Sequence, residues 1–476
     1  MRFNCLDDWL SWQESLNPAE IDLGLERVAD VLTRAGLSTT FDCPLITVAG
    51  TNGKGSVVAM LEAMAMAAGL NVCSYTSPHI FKYNERIKIN AQAVADDILC
   101  EAFQRIDQAR ADIPLTYFEF GTLAALDLFF RQQPDLIILE VGLGGRLDAV
   151  NVMDADVSVL TSVAIDHIDW LGDDRESIGF EKAGIFRTGK PVICGDAKPP
   201  KTVTEQADKL ACEFIQIGQQ YEAVDKSETA DTGWTLSSYY SDISELPEPS
   251  LQGDFQKSNA ATAIVALQTL QLQGLLASRS EPVSDTQFEQ AVVTGLSRIH
   301  LPGRFQQVNL KPQVFVDVAH NLQAAQALAG QISSSRFNDG PASRGKTWAI
   351  VAMLADKDIR GVLETVSEVI DLWCFAGLKD VNRGLSVSAF VEKIPEVILQ
   401  PDHDAKHDLQ DKLWENQCTM LTDTVMLAET VERSCQQVLS KMNKNDRIII
   451  FGSFYTVAEA MNFFSDLNEN SVEFMN

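Results

Sequence analysis

Leu45-Ile46-Thr47-Val48-Ala49-Gly50-Thr51-Asn52-Gly53-Lys54-Gly55-Ser56 is the stretch on which the reading of this chain turns. Its first five residues are apolar or β-branched and read as a strand, its middle is dense in glycine, and Val57 to Ala68 continues with helical spacing. A strand, a glycine loop and a helix in that order form a phosphate cradle. Small residues let backbone N–H groups converge on phosphate oxygens, the helix presents its positive end, and Lys54 adds a point charge. The context implies that the chain uses ATP, with Thr51, Asn52, Gly53, Lys54, Gly55 and Ser56 around the phosphates. The string departs from the common G-x-x-x-x-G-K-[ST] loop, since Val48 stands where the first glycine would be and Gly55 separates Lys54 from the hydroxyl of Ser56.

Outward from this loop, apolar strand-like runs alternate with helical patterns. Asn71 to Tyr75 reads as a strand that ends at Thr76-Ser77-Pro78-His79, Tyr117 to Phe130 as a helix, and Asp135 to Val141 and Asp156 to Leu160 as strands buried on both faces. The alternation predicts a parallel-rich sheet covered on both sides, with ligands beyond the carboxyl ends of its strands. Ser227 to Pro249, rich in Ser, Asp, Glu and Pro, reads as an excursion or exposed hairpin, and the core pattern resumes from Asn259 to Leu272. A second α/β series follows a linker near His300 to Gly303. It comprises strand Val314 to Val318, helix Leu322 to Ile332, strand Thr347 to Met353, helix Ile359 to Ile370 and strand Arg447 to Phe451. The expected domains are 1–299 and 300–476. Gln400 to Asp411 reads as a solvated loop; His403 and His407 within it lack the apolar face and glutamate of a zinc-protease helix.

At 476 residues and 46% hydrophobic content the chain can build large cores. Thirty-eight basic against sixty-six acidic residues give a net charge of −28, which repels nucleic acid and anionic membrane, so neither is expected as a partner. Anionic substrates would need locally gathered cations: Lys54, Arg86, Arg146, Arg304 and bound metal are the candidates. Nine scattered cysteines without a C-x-x-C pair, and an N-terminus without a signal pattern, suit a reducing cytoplasm. No run approaches the roughly eighteen apolar residues of a membrane span.

Several polar residues stand at strand ends. Glu140 closes the run Leu136 to Leu139 and precedes Val141-Gly142-Leu143-Gly144-Gly145-Arg146. Phosphoryl transfer needs Mg²⁺, which uses few protein carboxylates, and Glu140 suits that role. Arg146 could hold an anion bidentately, while Asp148 could accept hydrogen bonds from a heterocycle or order the loop. His167, between Asp166 and Asp169, could ligate metal through a neutral imidazole. Ser77 alone carries little. Lys182, in Glu181-Lys182-Ala183-Gly184-Ile185-Phe186, reads by itself as a solvated charge in an apolar turn.

Together the strings GTNGKGS, TSPHI with YNERI, LEVGLGGRLDAVN, DHIDWLG, EKAGIFR, SNAATA, LPGRF, DVAHN and GSFYTVAEA resemble the bifunctional dihydrofolate synthase/folylpolyglutamate synthase family of the Mur ligase superfamily, over essentially the whole chain. The resemblance implies a P-loop Mur-ligase-like ATPase domain joined to a smaller Rossmann-like α/β C-terminal domain. It implies Ser77, Glu140 and His167 as magnesium ligands, two Mg²⁺ sites, and a carbamylated Lys182, reversing the plain reading of that lysine. It further implies Asn259, Arg304 and Asp317 as nucleotide contacts. Thr116, Tyr117, Phe118 and Glu119 with Arg146, Leu147 and Asp148 would form the pterin pocket, helped by the loop Phe81 to Arg86. Lys54, Lys182 and His320 would be the catalytic set, and His320 and Ser453 the glutamate contacts. A monovalent cation is a further candidate. Val150, Leu322 after Asn321, and Tyr455 depart from the family strings without removing a proposed ligand.

The implied reaction is ATP-dependent addition of L-glutamate to dihydropteroate and to the γ-carboxylate of tetrahydrofolates through an acyl phosphate, by a cytoplasmic monomer. A monofunctional folylpolyglutamate synthase would share most of these motifs. A cell-wall Mur ligase would carry a nucleotide-sugar domain before the loop, for which the 49 residues preceding Gly50 leave no room. A nucleotide-binding switch without chemistry would not need Glu140, His167 and Lys182.

Overall fold

Short apolar runs become strands buried on both faces, and their parallel order places their carboxyl ends along one edge of a sheet. The computed structural model describes residues 2–17, 21–225, 233–278, 281–336, 345–399 and 418–473. The chain divides into two compact units, residues 1–250 with 254–301, and residues 251–253 with 302–476.

The first unit is built on eight strands: β1 (Leu45–Ala49), β2 (Val72–Tyr75), β3 (Ile87–Ile89), β4 (Gln92–Ala93), β5 (Leu136–Glu140), β6 (Val157–Leu160), β7 (Pro191–Cys194) and β8 (Glu213–Gln216). Their order is β4-β3-β2-β5-β1-β6-β7-β8. β2 through β8 in that order run parallel, and β3 and β4 add an antiparallel edge. Alternation sorts the side chains: Leu45, Ala49, Cys73, Tyr75, Ile137 and Leu139 join one core, with Trp9, Phe103, Phe120 and Phe129 from the helices of that face. Ile46 and Val48 are equally buried on the opposite pleat. The loop helix Lys54–Ala67 packs against β2 and β5, and helix Phe255–Leu272 packs against it and against β6 and β7.

The second unit holds a seven-stranded sheet, in the order Gln306–Asn309, Gln313–Asp317, Arg447–Phe451, Thr347–Val351, Leu372–Ala376, Val425–Ala428, Cys418–Met420. The five inner strands are parallel and the two outermost antiparallel, a Rossmann-like arrangement.

Element ends shift from the sequence reading for local reasons. The loop helix begins at Lys54 rather than Val57, because Gly53 takes a left-handed conformation (φ 87°) as its N-cap. The helix expected over Ile359 to Ile370 ends at Val366 and tightens into a 3₁₀ turn, Ser367–Val369. Part of the expected excursion is a hairpin, Trp234–Ser238 with Ile243–Leu246, extended by Tyr221–Asp225 into a three-stranded antiparallel sheet; residues 226–232 lie outside the described residues. So does 400–417, and with it the reading of His403 and His407. No helix among the described residues is long and apolar enough to cross a membrane.

Candidate active site

The strands β2, β5, β1 and β6 are neighbours and parallel, so the segments leaving their carboxyl ends converge: Ser77 after β2, Glu140 to Asp148 after β5, Gly50 to Ser56 after β1, and Thr161 to His167 after β6. This is where open α/β sheets bind ligands.

The phosphate loop is laced to the segment after β6. Thr51 N–H donates to Ser162 O (2.8 Å), Ala164 N–H to Thr51 Oγ1 (3.0 Å), and Thr161 Oγ1 to Asn52 O (2.6 Å). A β-carbon at Gly50 would overlap the Thr161 hydroxyl, so the approach requires glycine there. Lys54 Nζ donates to Gly50 O (2.9 Å) and Thr51 O (3.3 Å). Ser56 is buried at the start of the helix and Gly55 half-buried beside it.

Lys182 is not a solvated charge. It lies near the end of helix Arg175–Ala183, 4% exposed, and its Nζ donates to the same Gly50 O at 3.1 Å. Burial, with the second ammonium of Lys54 nearby, pushes it down to about 7, against the pull of Asp166 and Asp148. The sequence reading missed the burial because the helix places Lys182 through contacts remote in sequence. The glycine turn after β5 supplies them: Arg146 N–H donates to Glu181 O (2.7 Å), and a β-carbon at Gly145 would lie 2.9 Å from Glu181 O and 3.0 Å from Lys182 O.

Glu140 is buried, and its Oε2 accepts the Ser77 N–H at 3.2 Å. His167 is half-buried, in a left-handed conformation (φ 53°) as N-cap of the one-turn helix Ile168–Leu171, its N–H donating to Asp166 Oδ1 (2.8 Å). The Glu140 carboxylate, the Ser77 hydroxyl and the His167 imidazole, on segments leaving neighbouring strands, would offer a sparse, mainly oxygen donor set of the kind that suits a hard divalent cation keeping several waters. Among the described residues no group of three or more His, Cys, Asp or Glu side chains forms a denser metal cluster.

Asp148 orders its own turn. It accepts from Leu143 N–H (2.8 Å) and Val150 N–H (3.1 Å), caps the 3₁₀ turn Ala149–Val152, and is pushed up to about 6 by burial. Arg146 is exposed, paired with Glu181 Oε1 (2.8 Å) and stacked on Phe180; Leu147 is half-buried. Thr116 and Glu119 form a capping box on helix Tyr117–Gln132. Between them Tyr117 and Phe118 are half-buried; the Phe118 ring faces Gly142 and lies 5.8 Å from Tyr75. Arg86 stacks over Tyr83 and Tyr117 and donates to His79 Nδ1 (2.9 Å), joining the Phe81 to Arg86 loop to the same wall.

Sequence reasoning missed the segment around Asp22, which Arg27 ties to this wall by pairing with Glu119 Oε1 (2.9 Å) and Asp22 Oδ2 (2.8 Å). The capping pattern Thr116-x-x-Glu119 was the available signal, since a buried capping glutamate calls for a cation. Asn259 lies over the loop, its Oδ1 near Gly53, and Gln256 holds its amide.

In the second unit, Asp317 closes its strand and accepts from Phe305 and Ala319 N–H (both 2.8 Å); burial raises it, and Arg304 and His320 oppose that. His320 Nδ1 is 2.8 Å from Val318 O, and the Arg304 guanidinium lies 5.4 Å from the Phe454 ring centroid. Ser453 Oγ accepts the Thr456 N–H (3.0 Å) at the start of helix Phe454–Glu473. Arg304, Asp317, His320 and Ser453 thus gather at the carboxyl ends of two adjacent parallel strands.

The fold and this site define an ATP-dependent ligase of the Mur type: residues 48–267 match the Mur ligase middle domain and residues 303–454 the Mur ligase glutamate ligase domain. The dihydrofolate synthase/folylpolyglutamate synthase of Escherichia coli K12 is 38% identical over 457 residues, covering 96% of this chain and 94% of that protein. The structure of E. coli FolC in complex with DHPP and ADP has a TM-score of 0.82 at 37% identity, covering 98% of this chain and 99% of that one. A bifunctional folylpolyglutamate synthase/dihydrofolate synthase with Mn, AMPPNP and L-glutamate bound has a TM-score of 0.78 at 37% identity, covering 96% and 98%. The chain belongs to the dihydrofolate synthase/folylpolyglutamate synthase family, and is an ATP-dependent amide ligase.

Proposed function

We propose that this chain joins L-glutamate to dihydropteroate and to the γ-carboxylate of tetrahydrofolates, at a site whose phosphate loop carries Lys54 and is reached by Lys182 from helix Arg175–Ala183. The observation that carries the mechanism is the convergence of both lysine Nζ atoms on Gly50 O, at 2.9 and 3.1 Å. A carboxylate resists amines because its charge is delocalised and oxide cannot leave. Attack of the carboxylate on the γ-phosphate makes an acyl phosphate and ADP, and glutamate's amine then displaces phosphate to form the amide. Lys54 and the loop N–H groups neutralise charge on the transferring phosphoryl group. Ser77, Glu140 and His167 would hold the divalent cation, which supplies Lewis-acid neutralisation of phosphate charge when bound.

Lys182, pushed down to about 7, has a substantial neutral fraction at physiological pH. A neutral amine adds CO₂ with loss of a proton to give a carbamate, replacing a buried cation by an anionic oxygen donor. The half-buried rings of Tyr117 and Phe118, the latter backed by buried Tyr75, lie on the same wall as buried Asp148 and suit a flat heterocycle with N–H donors. Asn259, Arg304 and Asp317 are assigned to the nucleotide, and His320 and Ser453 to glutamate. Two magnesium sites, a monovalent cation as a further candidate and a cytoplasmic monomer complete the reading; the free, mostly buried thiols among the described residues favour a reducing compartment.

Phosphate release with ATP, Mg²⁺ and glutamate, offering dihydropteroate, a tetrahydrofolate or a cell-wall precursor in turn, tests the proposal. Release with both folates supports it, release with tetrahydrofolate alone makes the chain monofunctional, and release only with the precursor overturns it. Glu140→Ala should abolish metal-dependent release while circular dichroism stays unchanged.

A further inference from the structure

We infer that Gln256 is a positioning residue for the nucleotide: it sets the Asn259 amide so that the carbonyl oxygen, not the NH₂ group, is presented at the phosphate loop. The inference rests on the reading of Asn259 as a nucleotide contact.

Gln256 and Asn259 are three apart in the first turns of helix Phe255–Leu272, so they share a face. Gln256 is completely buried, and its Oε1 accepts from Asn259 Nδ2 at 2.9 Å. Its own Nε2 makes no hydrogen bond with the protein, although it is shielded from solvent. Burying an unpaired N–H is unfavourable, and an apolar side chain of the same size would avoid it. What glutamine offers in return is the oxygen, which commits one face of the neighbouring amide.

That commitment has a chemical consequence. A carboxamide has a donor end and an acceptor end, and Asn259 Nδ2 is engaged by Gln256. Asn259 Oδ1 is left facing Gly53, lying 2.8 Å from where a β-carbon on that glycine would sit. Phosphate oxygens are acceptors and cannot satisfy it. The donors of ATP are the 6-amino group of adenine and the ribose hydroxyls. Gln256 therefore selects a nucleotide that donates at this point, and the 6-amino group is the donor by which ATP differs from ITP.

The test is a double-mutant cycle in the full-length enzyme with Gln256→Met, Asn259→Ala and the pair, reading KM and kcat for ATP and ITP under saturating acid substrate and glutamate. Gln256→Met should raise the KM for ATP about five- to tenfold with little change in kcat, leave ITP almost unaffected, and have no further effect once Asn259 is alanine. Additive effects in the pair, or equal losses for ATP and ITP, would overturn the positioning role. An Asn259→Ala enzyme with unchanged KM for ATP would instead refute the nucleotide contact itself. Should Gln256→Met prove too unstable to assay, Gln256→Glu keeps an oxygen for the Asn259 N–H. A KM near the parent value then supports the inference, and one as high as that of Asn259→Ala refutes it.

Discussion

At the scale of single residues, Lys182 shows how position overrides composition. Taken with its neighbours in sequence it is one cation among thirty-eight basic residues; in the fold it is 4% exposed and shares a carbonyl with Lys54. Lys182→Ala should abolish ligation, and a short-chain carboxylic acid should restore part of it by replacing the lost anionic oxygens; a fully active variant would exclude the carbamate. The titration makes a second prediction. Its folded value, about 7, lies below the ordinary 10.5, so between those limits the unfolded chain binds more protons and stability rises with pH. Lys182→Met should therefore exceed the parent in stability most at pH 6 in CO₂-depleted buffer, by on the order of 4 kcal/mol, and lose that advantage as pH approaches 10. Thermal midpoints across this range check it, and a gap independent of pH would contradict the burial argument.

At the scale of elements, the turn after β5 transmits register from the sheet to helix Arg175–Ala183. Glu140 is held by its strand, Asp148 ties the turn to itself, and Gly145 lets the helix carbonyls approach closely enough for Lys182 to reach Gly50. Gly145→Ala places a methyl 2.9 Å from Glu181 O and 3.0 Å from Lys182 O, which must push the helix away. The expected cost is about 1–3 kcal/mol of stability, with a far larger loss of activity than that destabilisation explains; denaturant midpoints and phosphate release on the same variant separate the two. Elements of this kind were legible in sequence where one interaction dominates. The loop motif and the runs Leu45 to Ala49 and Leu136 to Leu139 report burial directly, because a strand covered on both faces is apolar along nearly all its length. The antiparallel additions at Gln92–Ala93 and Tyr221–Asp225 were not, since edge strands are short and partly exposed.

At the scale of the whole molecule, the net charge of −28 acts on substrates that are themselves anions. Raising ionic strength from about 10 to about 150 mM shortens the screening length from about 30 to about 8 Å, which weakens the overall repulsion more than contacts within the loop. kcat/KM for ATP at fixed free Mg²⁺ should rise up to about twofold over that interval, and a steady fall would mean that locally gathered cations dominate the approach. The sequence by itself determined the class of fold and the phosphate loop, because glycine spacing and uniform apolar runs are local consequences of backbone and burial chemistry, while the candidate ligands came from the resemblance of its motifs taken together. Only the tertiary structure decided which groups share a carbonyl, which carboxylate is buried and which amide end faces the loop. Those depend on strand order, β2-β5-β1-β6, and on helices returning from more than a hundred residues away, which no local pattern encodes.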